Sequence, residues 1–160
     1  MKSVSRSTHD PRQSSATQPL AAALRSRGLR VTPQRLLIEE ALRRIGRHAT
    51  AEEVRRAVAD RLPHATAPTV YATLELLAEL GRVRKVRAGR GPLLFDPRVD
   101  RHAHFVCSSC GAVFDLPAQA PAEIVDPAPA LAAARAAGHH PEAAEVVVEG
   151  RCARCVQAPR

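Results

Sequence analysis

The four cysteines of this 160-residue chain form two Cys-x-x-Cys pairs, Cys107 with Cys110 and Cys152 with Cys155, separated by 41 residues. Two such pairs can present four thiolates to Zn²⁺ in a tetrahedral arrangement. Disulfides are the alternative, but they persist mainly in oxidising compartments. Because the protein would fill all four coordination positions, the spacing predicts a structural zinc site rather than a catalytic one.

A second group of side chains offers nitrogen and oxygen ligands. His102 and His104 are two residues apart on a predicted strand, so both imidazoles project from one face. Asp115 follows on the next predicted strand, Asp96 ends a predicted hairpin, and His48 precedes a predicted helix. Such ligands suit Fe²⁺, Mn²⁺, Zn²⁺ or Ni²⁺ rather than soft Cu⁺. Spacing alone supports only the His-x-His pair, which a solvated strand face explains equally well.

Basic charge is concentrated in the N-terminal part of the chain. Residues 1–100 contain nineteen Lys and Arg against ten Asp and Glu, a net charge of +9, whereas residues 101–160 contain five against six, a net charge of −1. A cationic surface attracts nucleic acid and releases its counterions. One Tyr, three Phe and no Trp offer few rings on which unpaired bases could stack. The composition therefore favours double-stranded DNA over RNA, with a merely solvated basic face as the alternative.

Helix-capping signals punctuate the N-terminal part. A short helix is predicted from Leu20, and a second from the Thr32 cap to Gly46. A third begins at the capping box Thr50-Ala-Glu-Glu53 and is expected to reach Leu62.

A fourth helix is capped by Thr66, after a break of about three residues at Pro63, His64 and Ala65. This short connection favours a helix-turn-helix, although any αα-hairpin can have the same spacing. The fourth helix would then be the recognition helix, whose first residues face the major groove. These residues are Thr66, Thr69, Tyr71 and Ala72.

Two strand-like pieces between Arg82 and Asp96 predict a basic hairpin directly after that helix. Its basic residues are Arg82, Arg84, Lys85, Arg87 and Arg90. This order is typical of a winged helix, in which the hairpin contacts phosphates or the minor groove.

Beyond residue 101 the pattern predicts a small α/β domain. Strands are expected at 102–107, 112–116 and 144–149, with a helix between Pro129 and Gly138. The approach to the helix is made irregular by Pro117, Pro121, Pro127 and Pro129. At the N-terminal end, the first fifteen residues are polar, so we expect no signal peptide and no membrane anchor. We therefore expect a cytoplasmic protein.

Five segments together resemble the Fur family of metalloregulators, over a stretch from Leu20 to Cys155. They are Thr32-Pro-Gln-Arg35, His48-Ala-Thr-Ala-Glu-Glu-Val54, Thr69-Val-Tyr71-Ala-Thr-Leu74, His102-Ala-His104-Phe-Val-Cys-Ser-Ser-Cys-Gly111 and Cys152-x-x-Cys155. The resemblance implies a homodimer, a structural zinc bound by the four cysteines, and a regulatory metal held between two domains. We thus expect an α+β chain with a disordered tail at 1–18, a winged-helix DNA-binding domain with its hinge at 19–96, and a zinc-containing α/β dimerisation domain at 97–160.

Within that family the chain is most similar to the peroxide-sensing PerR branch. All five regulatory ligands of that branch have a match, and they are His48, Asp96, His102, His104 and Asp115. The iron-sensing branch usually has Glu at the last of these positions. The resemblance implies a regulatory Fe²⁺ or Mn²⁺ and, with Fe²⁺, peroxide-driven addition of oxygen to His48 or His102. Iron, zinc or nickel sensing remains open, because ligand type does not select one metal.

Two positions depart from the family pattern. Ala72 stands where the family commonly has Arg after the recognition-helix Tyr, which puts that DNA contact in doubt. Ala143 and Ala144 stand where an extra histidine is usual, and His139 and His140 lie a few residues too early, so we expect no third metal site.

The sequence thus predicts a repressor, not an enzyme, that binds a palindromic operator in double-stranded DNA. The predicted DNA contacts are Arg35, Thr66, Thr69, Tyr71, Arg84, Lys85 and Arg87. A thiol redox protein is one alternative, but both Cys-x-x-Cys pairs are assigned to zinc. A zinc-ribbon interaction module is the other, and it leaves the basic N-terminal part unexplained.

Overall fold

The computed structural model describes residues 18–87, 91–100, 102–116, 126, 128–141 and 144–157. Of these residues, 18–87 and 92–100 form a first compact unit, and Gly91 with the residues from His102 onward forms a second. Three predicted features lie outside the described residues, namely the predicted 1–18 tail apart from Gln18, the hairpin tip at Arg90, and the prolines Pro117, Pro121 and Pro127. Within the described part, no helix is long and apolar enough to cross a membrane.

The described residues of the first unit form four helices and a two-stranded hairpin. Its elements are α1 (Leu20–Ser26), α2 (Pro33–Ile45), α3 (Ala51–Val58), α4 (Ala67–Glu79), β1 (Arg84–Arg87) and β2 (Leu93–Asp96). The strands pair antiparallel, with Arg84 opposite Asp96 and Arg87 opposite Leu93. The predicted order of helices followed by a hairpin is therefore confirmed.

Side-chain caps fix where the helices of this unit begin. The Thr32 hydroxyl accepts a hydrogen bond from the Arg35 amide, which starts α2. At α3 the capping box is complete, since Thr50 accepts from the Glu53 amide at 3.1 Å and Glu53 accepts from the Thr50 amide at 2.8 Å. Satisfying these otherwise unpaired amides stabilises the first turn of each helix.

The predicted end of the third helix is wrong. Helix α3 stops at Val58, and eight residues, 59–66, connect it to α4 instead of about three. The amides of Arg61 and Leu62 both donate to the Val58 carbonyl, at 3.0 and 2.7 Å, which tightens the chain into a turn. Pro63 then disfavours helical backbone at the residue before it. Leu62 still packs against the core, so its apolar spacing reflects the turn and not a longer helix.

The core of the first unit forms where one apolar stripe from each helix meets the hairpin. Its fully buried members include Leu24, Ile38, Leu42, Val54, Leu74 and Phe95. Ala49, between α2 and α3, exchanges two backbone hydrogen bonds with Phe95, of 3.0 and 2.8 Å. This bridge attaches the hairpin to the helices.

Arg82 does not contribute to the basic surface predicted for the hairpin. Its guanidinium is buried, with 2% of the side chain exposed, and forms an ion pair with Glu39 of α2. It also donates to the carbonyl of Gln18 at 2.6 Å. A buried guanidinium requires such partners because desolvating an uncompensated charge is costly.

The described residues of the second unit form a three-stranded sheet and two helices. Its elements are β3 (His104–Cys107), β4 (Val113–Asp115), α5 (Ala128–Ala136), β5 (Val147–Gly150) and α6 (Ala153–Gln157). Strand β3 is central, antiparallel to β4 and parallel to β5. The three predicted strands and the helix before Gly138 are confirmed, whereas the short helix α6 was not predicted.

His102 lies outside the strand on which it was predicted. Strand β3 begins at His104, because β4 ends at Asp115, directly opposite His104 in the register. Beyond that pair, the Leu116 amide donates to the Ala103 carbonyl at 2.9 Å.

Candidate metal centres

The four cysteines of the second unit lie together. Their Sγ atoms are all within 4.8 Å of one another, and those of Cys110 and Cys152 are 3.9 Å apart. Sulfurs about 2.3 Å from one tetrahedral ion are roughly 3.8 Å apart. The spacing of this tetrathiol cluster therefore fits a bound Zn²⁺.

Strand pairing closes the 41-residue gap between the two cysteine pairs. Cys107 ends β3 and lies opposite Gly150 of the parallel strand β5. The Ser108 amide also donates to the Gly150 carbonyl at 2.7 Å, so the turn after β3 is tied to the end of β5. Cys152 follows two residues later, and α6 carries Cys155.

Hydrogen bonding divides the protons unequally among the thiols. The Cys152 amide donates to the Cys107 sulfur at 3.3 Å and, with the Cys110 amide, lowers the pKa of Cys107 to about 6. Hydrogen bonds to the sulfurs of Cys152 and Cys110 raise the pKa of Cys155 to about 12. Four adjacent thiolates repel one another, and the positive charge of a coordinating cation offsets this repulsion, so that all four thiols can lose their protons. The cluster is therefore suited to a divalent ion.

Three predicted nitrogen and oxygen ligands also meet in the second unit. The Nε2 atoms of His102 and His104 are 3.2 and 4.0 Å from Asp115 Oδ1. Both imidazoles are buried, and their ring centroids are 4.5 Å apart. Ligand atoms about 2.1 Å from a shared ion are roughly 3.0 to 4.2 Å apart, depending on their angle. This His-His-Asp group has the separations of a metal-binding triad.

The other two predicted ligands meet in the first unit. His48 Nε2 is 3.7 Å from Asp96 Oδ2, and both side chains are buried. The Ala49–Phe95 bridge causes this approach, because His48 immediately precedes Ala49 and Asp96 immediately follows Phe95. Asp96 Oδ1 accepts from the Arg98 amide at 2.8 Å, which fixes the orientation of the carboxylate.

The start of α4 carries the predicted groove-facing residues. Thr66 is exposed, but its hydroxyl also caps the helix and lies 2.8 Å from the Thr69 hydroxyl. Tyr71 is 44% exposed, and Ala72 is exposed beside it. Tyr71 is thus the large accessible side chain of this segment, and Thr66 has a structural role as well.

The predicted basic contacts differ in how their charge is balanced. Lys85 forms a 2.9 Å ion pair with Glu75, which raises the Lys85 pKa. Arg84 donates to the Asp100 carbonyl and Arg35 to the Arg30 carbonyl. Arg87 is exposed and has no carboxylate partner within the described ranges.

Several arginines of α2, of α3 and of the segments that follow these helices lie instead beside carboxylates. The pairs are Arg43–Glu39, Arg47–Glu53, Arg55–Glu52, Arg56–Glu52 and Arg61–Glu40. Net charge alone could not reveal this division, because some partners lie far apart in the sequence, as Arg61 and Glu40 do at 21 positions.

The family model of the ferric uptake regulators, "Ferric uptake regulator family", matches residues 26–128. With the fold and the ligand groups described above, this match shows that the chain belongs to the ferric uptake regulator family, a family of metal-responsive transcription regulators.

Two relatives illustrate the range within that family. The peroxide-responsive repressor PerR of Staphylococcus epidermidis is 33% identical over 95 residues, 59% of this chain and 63% of that protein. The chain thus matches less than two thirds of the length of that relative. Ferric uptake regulation protein 2 of Mycolicibacterium fortuitum is 33% identical over 147 residues, 91% of this chain and 98% of that protein.

Solved structures agree on the fold. The Helicobacter pylori ferric uptake regulator has a TM-score of 0.70 at 15% identity, covering 94% of this chain and 97% of that one. A zinc uptake regulator in complex with zinc and DNA has a TM-score of 0.62 at 25% identity, covering 93% and 97%. The predicted α+β class, with a winged-helix domain followed by a dimerisation domain, is thereby confirmed.

Proposed function

We propose that the chain is a metal-dependent repressor and not an enzyme. It would act in the cytoplasm as a homodimer that binds a palindromic operator in double-stranded DNA. The observation that carries the proposal is the presence of two ligand groups besides the tetrathiol cluster, the buried pair His48 and Asp96 and the group of buried His102 and His104 with exposed Asp115. A structural role for zinc accounts for the cysteines alone. The remaining ligands call for a second ion with a different task.

The two metals would act differently. Zn²⁺ would be held by the four cysteines and would stabilise the fold. Fe²⁺ or Mn²⁺ would be held by the five nitrogen and oxygen ligands and would control DNA binding. Carboxylate and imidazole ligands suit these ions, although they also bind Zn²⁺ or Ni²⁺.

Control of DNA binding follows from where the five ligands lie in the sequence. Two belong to the first unit and three to the second, so they could all reach one ion in only one arrangement of the units. Metal binding would favour that arrangement. Shifting a two-state equilibrium from 1:99 to 99:1 needs about 5.5 kcal/mol of differential binding. In a dimer so arranged, the two recognition helices would be about 34 to 36 Å apart, which matches successive major grooves.

Peroxide is the signal that we propose for this repressor. The S. epidermidis relative is a peroxide-responsive repressor, and Asp115 stands where the iron-sensing branch of the resemblance has Glu. Bound Fe²⁺ would supply the redox chemistry that breaks the O–O bond of hydrogen peroxide. One oxygen atom of the peroxide would replace a ring hydrogen of His48 or His102, and the other oxygen would leave with that hydrogen as water. A ligand so modified would bind metal more weakly. The M. fortuitum relative, matched over nearly its whole length, keeps iron sensing as the second candidate.

We expect peroxide to add oxygen to His48 or His102 only when the protein holds Fe²⁺. Zinc-replete protein would be loaded anaerobically with Fe²⁺ or Mn²⁺, exposed to hydrogen peroxide and analysed by peptide mass spectrometry. The Mn²⁺-loaded sample is the matched control. Unmodified His48 and His102 peptides in the Fe²⁺ sample would exclude peroxide sensing and leave iron sensing as the better proposal.

We expect Arg87→Ala to weaken DNA binding more at low salt than at high salt, because an exposed and uncompensated guanidinium neutralises a phosphate. The slope of log affinity against log salt should fall by about 1. The probe would be a duplex selected from a random-sequence pool by the parent protein in Mn²⁺, called here the selected duplex. Arg61→Ala is the control, since Glu40 already balances Arg61. Equal slopes for Arg87→Ala and the parent would remove Arg87 from the DNA interface.

A further inference from the structure

We propose that Phe95 is a positioning residue that couples the His48–Asp96 ligand pair to Tyr71 of the recognition helix. The inference rests on the proposed function, because it requires that this pair binds the regulatory metal and that α4 contacts DNA. All the contacts that carry it lie within the first unit.

The first contact is the backbone bridge between the two ligands. Ala49 donates to the Phe95 carbonyl at 3.0 Å, and Phe95 donates to the Ala49 carbonyl at 2.8 Å. His48 precedes Ala49, and Asp96 follows Phe95, so each ligand is one residue from the bridge. Coordination by both side chains would hold their ligand atoms at about 2.1 Å from one ion. The position of the bridge would then be fixed by metal binding.

The second contact links this bridge to the recognition helix. The Phe95 and Tyr71 ring centroids are 5.9 Å apart at an interplanar angle of 80°, an edge-to-face arrangement that aromatic pairs favour. Phe95 is fully buried, whereas Tyr71 is 44% exposed. The Phe95 ring is thus packed in the core, whereas the Tyr71 ring contacts Phe95 and remains accessible to a partner.

These contacts connect the ligand pair to Tyr71 through one residue. Buried side chains are close-packed, so Phe95 cannot move with the bridge without shifting its neighbours. A Phe95 ring fixed by metal binding would therefore restrict the orientation of Tyr71. Coupling of this kind is reciprocal, so DNA contact at Tyr71 would also strengthen metal binding at His48 and Asp96.

The test is Phe95→Leu in the full-length, zinc-replete protein, with Mn²⁺ as the probe ion. Leucine keeps the residue apolar and its backbone hydrogen bonds intact but removes the ring edge. We expect Mn²⁺ affinity without DNA, and DNA affinity without Mn²⁺, to change less than about threefold. The Mn²⁺-dependent gain in affinity for the selected duplex should fall at least ~fivefold, the lower end of typical coupling factors.

A second readout follows Tyr71 directly. The chain has one tyrosine and no tryptophan, so its intrinsic emission comes from Tyr71. In the parent, Mn²⁺ should change the susceptibility of that emission to quenching by acrylamide, and in Phe95→Leu it should not. Val86→Ala, which removes packing from a fully buried position of the same hairpin, is the control and should keep both responses.

Three results would overturn the inference while leaving the proposed function intact. They are a Phe95→Leu protein with the full Mn²⁺-dependent gain, a Phe95→Leu protein whose Mn²⁺ affinity itself is lost, and a parent whose Tyr71 quenching ignores Mn²⁺ although its DNA affinity responds. If Phe95→Leu does not fold, Phe95→Met and the parent's quenching decide the matter. A parent whose DNA affinity does not respond to metal would end both proposals.

Discussion

His102→Ala is expected to abolish the metal-dependent gain in DNA affinity while leaving the fold and the zinc content unchanged. The imidazole is buried and its Nε2 is 3.2 Å from Asp115, so its loss removes one ligand from the His-His-Asp group. Because His102 precedes β3, the substitution leaves the strand pairing of the sheet in place. Metal-dependent coupling typically amounts to a 5- to 150-fold change in affinity, and we expect nearly all of it to disappear.

Asp96→Asn, a substitution in the first unit, should also abolish the metal-dependent gain in DNA affinity. The side-chain oxygen of Asn can still accept the hydrogen bond from the Arg98 backbone amide, but it is a poorer metal ligand than a carboxylate. Fluorescence anisotropy with the selected duplex, at fixed salt and varied Mn²⁺, measures both variants. The control is His139→Ala, which removes an exposed histidine that belongs to neither ligand group. Parent-like, metal-dependent binding by His102→Ala would show that the ligand assignment is wrong.

Cys107→Ser is expected to unfold the second unit and to break the dimer, while the helices of the first unit persist. Few apolar side chains of the described second unit are buried, and two of them are the cysteines Cys107 and Cys152 themselves. Helix α5 has no buried residue. So small a core cannot offset the loss of conformational entropy on folding. Metal–thiolate bonds contribute about 10 to 16 kcal/mol in small zinc domains, so loss of the site should be decisive.

Zinc content, circular dichroism and size-exclusion chromatography measure this effect. Ser108→Ala, at the adjacent position, is the matched control and should retain zinc, because its hydroxyl only donates to the Gly150 carbonyl. A Cys107→Ser protein that remains dimeric, with its thermal unfolding unchanged, would contradict a structural role for the tetrathiol cluster.

Local sequence patterns were sufficient to predict those structural features that depend on a few neighbouring residues. The caps at Thr32, Thr50 and Thr66 were correctly predicted because a hydroxyl and the amide three residues on are close in any helix start. The grouping of the cysteines was also predictable, since metal coordination restricts the spacing within each Cys-x-x-Cys pair.

Features that depend on tertiary contacts were not predictable in this way. Arg82 was grouped with the hairpin's basic surface because its partner Glu39 is 43 residues away. The end of α3 was misplaced because Leu62 packs on the core from a turn. The Tyr71–Phe95 contact joins a helix to a strand 24 positions away in sequence, and no local pattern indicates it.

The register between β3 and β4 brings together metal ligands whose proximity could not be predicted from their spacing in the sequence. His104 and Asp115 are directly opposite each other, which brings an imidazole and a carboxylate together from adjacent strands. Alternation along each strand could indicate a face but not which residues are paired across strands, since a shift of one residue changes every pair.

The most direct test is to remove the regulatory metal alone. Zinc-replete protein would be treated with a chelator too weak to extract the tetrathiol zinc, with zinc content measured before and after, and then titrated against the selected duplex with and without added Mn²⁺. We predict that affinity falls at least ~fivefold on removal and returns with Mn²⁺. Unchanged affinity, with zinc retained and the nitrogen and oxygen ligands metal-free, would contradict the account.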